Sequence, residues 1–219
     1  ETNREMLDLT VLVCQQATAR ASQSKTAPLR VAPIHNVWGI ALVRKGDIVG
    51  AVSQFEKARQ LDPSLFEAHV NYGSINLSFR GYESAEGAFR KAIDLRPESY
   101  EAHLSLGVAL RGQKRYDEAR SFYEKARVLD GERPGAHYNL GVLAQDYLFG
   151  ETTDQEAQLQ ILGTAKEAFR RFLEVCEGDD PACHREAVGS GSIDLRERAR
   201  QRIEACEVIE SAISGEVVD

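Results

Sequence analysis

The 219-residue chain is poor in aromatics, which make up 7% of it, and it has a single Trp and a single Met. Its hydrophobic content is nevertheless 42%. A core built from so few rings has to be packed through Ala, Leu and Val, which suits helices, and the chain is too apolar to remain disordered. Basic charge is not in surplus either: 27 Lys and Arg stand against 34 Asp and Glu, a net charge of −7. Nothing supplies the dense basic stripe that a phosphate backbone needs, which argues against a nucleic-acid partner. No apolar run approaches the length of a transmembrane helix. Ser-His-Asp spacing, a phosphate-binding glycine loop and HExxH are all missing, so no catalytic residues and no cofactor are indicated. The first residue is Glu1 rather than Met, from which a processed, truncated or trimmed chain is expected. Leu12-Val13-Cys14 has the outline of a lipoprotein processing site. The residue before that Cys should be small, however, and acidic Glu5 and Asp8 stand where a basic segment belongs, so that reading is set aside.

What the chain has instead is a period of 34 residues. His35-x-x-Trp38-Gly39 returns as His69-x-x-Tyr72-Gly73, His103-x-x-Leu106-Gly107 and His137-x-x-Leu140-Gly141. Ala51, Ala85 and Ala119 follow the first three glycines at a fixed distance. Phe55, Phe89 and Tyr123 come next, then Ala58, Ala92 and Ala126. Pro63 and Pro97 close two copies, and Gly131 stands at the third. Register this strict settles the fold class before propensity is consulted.

Each copy divides into two helices, the first pair at about His35 to Arg44 and Asp47 to Leu61. Gly46, Gly81 and Gly112 mark the turns within pairs, where positive φ is easiest for glycine. Pro63 and Pro97 stop the second helices. Gly39, Gly73, Gly107 and Gly141 should let paired helices approach opposite Ala51, Ala85 and Ala119, with Phe55, Phe89 and Tyr123 filling space towards the next repeat. Ahead of the array, residues 2–24 read as a helix opened by a Thr2-x-x-Glu5 capping box. Met6, Leu9, Val13, Ala17 and Ala21 form its predicted contact face. Pro28 and Pro33 bracket a linker. Three parts are expected: 1–31, an N-terminal helix and linker; 32–181, the array; and 182–219, an irregular segment and a capping helix.

These residues resemble the tetratricopeptide repeat, whose pattern is W-x2-L-G-x2-Y, then A-x3-F, then P. The match is tight over 32–133 and looser to about 177, with His in place of the consensus Trp in all four copies. The resemblance implies an all-α fold: a right-handed superhelix, or α-solenoid, of antiparallel helix pairs with capping helices at both ends.

The fourth copy departs from the period. From Gly141 to Ala165-x-x-x-Phe169 there is an insertion of 12 residues, which should form a loop and lengthen the second helix. Thr153-x-x-Glu156 offers it a capping box. Order loosens after Val175. A last helix, about Ile193 to Ile213, then presents Leu195, Ala199, Ile203, Cys206, Ile209 and Ile213 on one face, as a terminal cap requires. The histidine column invites a metal reading, but equivalent positions in neighbouring repeats lie about 10 Å apart, too far to share an ion, and packing accounts for them better. Cys176, Cys183 and His184, with Cys206 beyond, have the wrong spacing for common zinc motifs. A disulfide from Cys183 to Cys176 or to Cys206 would staple the irregular segment; in a reducing compartment the thiols would stay free. Cys14 is expected to be a buried free thiol.

By resemblance, the function expected is non-enzymatic: a scaffold that binds a protein or peptide on the concave face formed by the first helix of each pair. Val37, Asn71, Ser105 and Asn139 share the column where such proteins often place a backbone-reading Asn. Ser74, Val108 and Val142 lie one turn on, Ser78, Arg111 and Asp146 one turn further, and Glu67, Val70, Glu101, Leu104 and Tyr138 flank them. The carboxylate clamp of chaperone-binding relatives needs Lys, Asn and Arg at columns occupied here by Asn36, Ile40, Val70, Ser74, Glu101 and Ser105, so a chaperone-tail adaptor is not expected. Short acidic arrays with several Cys resemble bacterial periplasmic or outer-membrane lipoprotein adaptors of motility or pilus-assembly machines; a cytoplasmic setting is the alternative. The competing readings are an enzyme-associated module using the C-terminal Cys/His segment, and self-association through the N-terminal helix.

Overall fold

The computed structural model of the chain describes residues 2–21, 28–177, 183, 186–188 and 191–215. It forms two compact units, residues 1–113 and 114–219, taken in turn. The first holds α1 (Thr2–Ala21), α2 (Pro28–Lys45), α3 (Ile48–Leu61), α4 (Phe66–Ser78), α5 (Tyr82–Leu95) and α6 (Tyr100–Gly112). The second holds α7 (Tyr116–Leu129), α8 (Pro134–Leu143), α9 (Gln155–Val175), a short hairpin of β1 (Glu186–Val188) and β2 (Gly191–Ile193), and α10 (Leu195–Ser214). The hairpin is antiparallel, with Glu186 opposite Ile193 and Val188 opposite Gly191. No helix among the described residues is long and apolar enough to cross a membrane.

The helix pairs close on glycine. A Cβ added at Gly39 would stand 2.5 Å from the Phe55 ring, at Gly73 2.8 Å from Phe89, and at Gly141 2.7 Å from Phe169. In these three pairs the ring of the second helix therefore lies on the glycine of its own first helix, rather than reaching for the next repeat. The fourth pair keeps this contact across its 12-residue insertion. Phe89 and Phe169 are fully buried, as are Ala51, Ala85, Ala119 and Ala165.

The turns within pairs correct the glycine expectation. Positive φ occurs at Gly46 (82°), Arg80 (59°) and Lys114 (63°), which are spaced by one period. At Gly46 and Arg80 the surrounding bonds are those of a Schellman ending: Gly46 N donates to Val43 O and Asp47 N to Leu42 O, and Arg80 N to Leu77 O and Gly81 N to Asn76 O. Gly81 instead precedes α5 with a φ of −77°. Gly112 is required for space, since its Cβ would meet the Tyr82 ring at 2.3 Å. In the fourth pair the equivalent residue, Leu148, stays right-handed at φ −74°. There the chain does not turn but runs on through a π turn (Ala144–Leu148) and a 3-10 turn (Phe149–Glu151). This is how the insertion enters. The longer α9 is then preceded by Asp154, whose carboxylate accepts from Ala157 N at 2.9 Å, so Asp154 and not Thr153 is the cap.

Two expectations for the N-terminal region are overturned. The bracketed linker is helical from Pro28: proline is tolerated at a helix start, and burial of Val31 and Ala32 outweighs the hydrogen bond lost at Pro33. The contact face of α1 is rotated. Cys14 is buried, with Leu7, Val11, Thr18 and, of the expected face, Ala17 and Ala21 partly so, while Met6, Leu9 and Val13 face solvent. Val11 packs on the cluster of Leu42, Phe55 and Trp38, and Lys45 pairs with Asp8. Residues 22–24 of the expected helix, and the Thr2 side chain of its capping box, lie outside what is described.

In the second unit, Tyr138, Val142, Leu162, Phe169, Phe172, Leu195, Ala199 and Cys206 share one core, with Ile203, Ile209 and Ile213 packed against it. Cys176 and Cys183 are joined in a disulfide with Cα atoms 5.7 Å apart. Cys14 and Cys206 are buried free thiols. Burial, helped by Glu210, pushes the Cys206 thiol up to about 11. At neutral pH it is an inert core group.

Candidate partner-binding site

The histidine column has a specific task. His69 Nε2 donates to Pro63 O at 3.0 Å, His103 to Pro97 O at 2.8 Å and His137 to Gly131 O at 2.9 Å. Each ring locks the turn that leads into its own helix, at the carbonyl six residues back. His35 cannot do this, because six residues before it the chain is already inside α2. Its Nδ1 bonds Gln54 Oε1 at 2.7 Å instead. The other ring nitrogen of His69, Nδ1, is buried without a partner. Burial accordingly holds this imidazole below the usual histidine range. Among the described residues no three His, Cys, Asp or Glu are placed to hold a metal; His184 lies outside them.

The expected partner-binding residues divide between the two units. In the first, α4 adjoins both α2 and α6, which sets their columns side by side. Asn71, half-buried, donates its Nδ2 to Oδ1 of buried Asn36 at 2.9 Å. One donor of the proposed backbone reader is thus spent on orientation, and its own carbonyl oxygen is left without a partner among the described residues. Val37 and Ser74 are exposed; Ser105, Val108 and Arg111 are half-buried. Ser78, exposed, donates to Ser74 O at 3.0 Å. At the edge, Glu67 pairs with Arg96 at 2.6 Å, and that guanidinium lies 4.0 Å over the Phe66 ring.

In the second unit the same columns are put to another use. Tyr138 and Val142 are only 9% and 8% exposed, within the core that α10 shares. Asp146 is held by both terminal nitrogens of Arg202 on α10, at 2.7 and 2.9 Å. That carboxylate pushes the guanidinium above its ordinary range. Gln145 and Arg202 also exchange bonds. Asn139 bonds back to Gly135 O at 2.8 Å. Lys166–Glu210 and Arg170–Glu207 fasten α10 to α9. Here the C-terminal helix takes the place that a peptide was expected to take. Sequence reasoning missed Asn36 and Arg202, each of which acts through a residue far away in the chain. A pocket of about 290 Å³ opens elsewhere in this unit, over Leu140, Leu143, Leu148 and Ile161, with Arg127 and Arg171 on its rim.

Residues 77–137 match the family described as Tetratricopeptide repeat. Over that stretch the chain carries tetratricopeptide-repeat sequence, and its fold is all-α, built of antiparallel helix pairs. No curated protein matches it. Among solved structures, it is similar to a double mutant of the MamA protein, at 22% identity and a TM-score of 0.61, over 83% of this chain and 98% of that one. MamA from Desulfovibrio magneticus RS-1 gives 23% and 0.56, over 80% and 97%. The first tetratricopeptide domain of Spaghetti (RPAP3), bound to the HSP90 peptide SRMEEVD, gives 20% and 0.53, over 55% and 95%. These likenesses establish the fold.

Proposed function

We propose that the chain is a non-catalytic interaction scaffold, and that the face of α2, α4 and α6 around Asn71 holds an extended or helical segment of a partner protein. The observation that carries this is the half-buried Asn71 amide, oriented by Asn36 with its carbonyl oxygen unpartnered among the described residues. Exposed Val37 and Ser74 and half-buried Ser105 and Val108 stand in the same columns. A pre-oriented polar group among small and apolar neighbours reads backbone rather than sequence. That a similar fold takes the peptide SRMEEVD supports the mode, though not the ligand. The Cys176–Cys183 disulfide favours an oxidising compartment. The bacterial periplasm is such a compartment; the further assignment, to a periplasmic or outer-membrane-associated part of a motility or pilus-assembly machine, is proposed on the family resemblance.

The test is peptide selection on the intact chain from a displayed random library, followed by titration of the selected peptide. Ser74→Arg, which fills the face, should weaken binding at least about tenfold, and Asn71→Ala should weaken it by about 3- to 10-fold. Asn139→Ala, in the other unit, and Val49→Arg, on the 84% exposed outer side of α3, should change nothing. Equal binding by Ser74→Arg and the parent chain would remove this face from consideration.

A further inference from the structure

We infer that α1 is a self-association helix, pairing antiparallel with α1 of a second copy of the chain. The helix is two-faced. Leu7, Val11, Cys14 and Thr18 turn towards the first unit. On the opposite side Leu9 is 53% exposed, Leu12 48% and Val13 54%, with Met6 at 63% beside them. Successive residues turn by about 100°, so Glu5, Leu9, Leu12, Val13, Gln16 and Arg20 fall on one stripe. Their steps of three and four are those of a helix-pairing seam.

The charges on this stripe choose the occupant. Exposed Glu5 stands at one end and exposed Arg20 at the other, and neither has an ion-pair partner among the described residues. In an antiparallel pair centred between Leu12 and Val13, Leu12 meets the second copy's Val13 and Leu9 meets its Gln16. Glu5 then meets Arg20 at both ends. The seam is complementary to itself under a two-fold axis, as an isologous contact must be. A parallel pair would set Glu5 against Glu5 and Arg20 against Arg20. From Glu5 to Arg20 the stripe runs about 22 Å. Such a contact falls below the roughly 1,200 Å² of standard interfaces, so association in the micromolar range is expected.

The experiment is the mass of the chain, 24.3 kDa as a monomer, by sedimentation equilibrium across a dilution series. The parent should rise towards twice that mass at high concentration. Leu9→Glu should raise the dissociation constant at least about tenfold, and Glu5→Arg by about 3- to 10-fold through two symmetric repulsions. Glu5→Arg combined with Arg20→Glu should restore the dimer, which no unrelated apolar contact would do. Circular dichroism of each variant checks that the helices are intact. A parent chain that stays monomeric at the highest concentration overturns the inference. So does a Leu9→Glu variant that associates equally well, or a double swap that fails to recover. None of these outcomes bears on the Asn71 face.

Discussion

Adding one methyl group at Gly73 should destabilise the first unit, although the same change elsewhere on these helices should stabilise it. In an unconstrained helix interior Gly→Ala gains about 1 kcal/mol. Gly87 on α5 is such a site: it is exposed, and an added Cβ meets nothing within 4 Å. At Gly73 the same Cβ would stand 2.8 Å from both Cε1 and Cζ of Phe89. That ring has no room to withdraw, being fully buried on a helix whose Ala85, Ala88 and Ala92 are buried as well. Overpacking of this kind costs about 1–3 kcal/mol, enough to cancel the helix gain and, over most of that range, to exceed it. Gly73→Ala is therefore expected to lose up to about 2 kcal/mol, while Gly87→Ala gains about 0.5–1 kcal/mol. The single Trp, Trp38, belongs to the first unit, so its fluorescence during urea unfolding reports the unit that carries both changes. The two variants should move the midpoint in opposite directions at an unchanged slope. A Gly73→Ala chain as stable as Gly87→Ala would refute the close approach of α4 to Phe89.

Two further outcomes follow from the turns. Arg80 and Lys114 hold a left-handed backbone that costs an L-residue about 1–2 kcal/mol, so Arg80→Gly or Lys114→Gly should raise stability by a net ~0.5 kcal/mol after the extra freedom of glycine in the unfolded chain is deducted; unchanged or lower urea midpoints in both variants would contradict the turn assignment. His69, held below the ordinary histidine value of 6.5 by burial, adds stability that is complete above pH 6.5 and is lost as pH falls towards its folded value, because the unfolded chain takes up the proton first; NMR titration of the His69 ring should place its midpoint below 6.5, and a midpoint above 6.5 would contradict the orphaned Nδ1.

The pairing of helices was legible because the period repeats it. Gly39, Gly73 and Gly141 recur with Phe55, Phe89 and Phe169 behind them, and even a 12-residue insertion leaves the last contact in place. The orientation of α1 was not legible. Leu7, Leu9, Val11, Leu12 and Val13 offer apolar groups around most of the helix, and periodicity alone cannot say which arc the neighbouring helix α2 will cover. Glycine misled at the turns, since at Gly81 and Gly112 it marks a helix start and a ring contact, while the strained position is filled by Arg80 and Lys114. Arg80 accepts that conformation because the Schellman bonds around it are made by backbone, whatever the side chain. In the candidate site the column of Asn71 and Asn139 could be read, but their different uses could not. Asn36 orients Asn71 from 35 residues away, whereas Asn139 turns back to Gly135 O in its own helix, and Arg202 claims Asp146 from 56 residues away.

The way α10 covers Tyr138, Val142 and Asp146 bears on how such a chain could have grown. A repeat array is open-ended in principle: each pair leaves behind a surface that the next can occupy, so duplication adds length at little cost in folding. Here the surface left by the fourth pair is spent on a helix of unrelated sequence, and it is fastened by an ion pair that no duplicated copy would reproduce. A fifth repeat inserted after Val175 would have to displace Arg202 from Asp146 before it could dock. The number of repeats is thereby written into the protein as a stop signal.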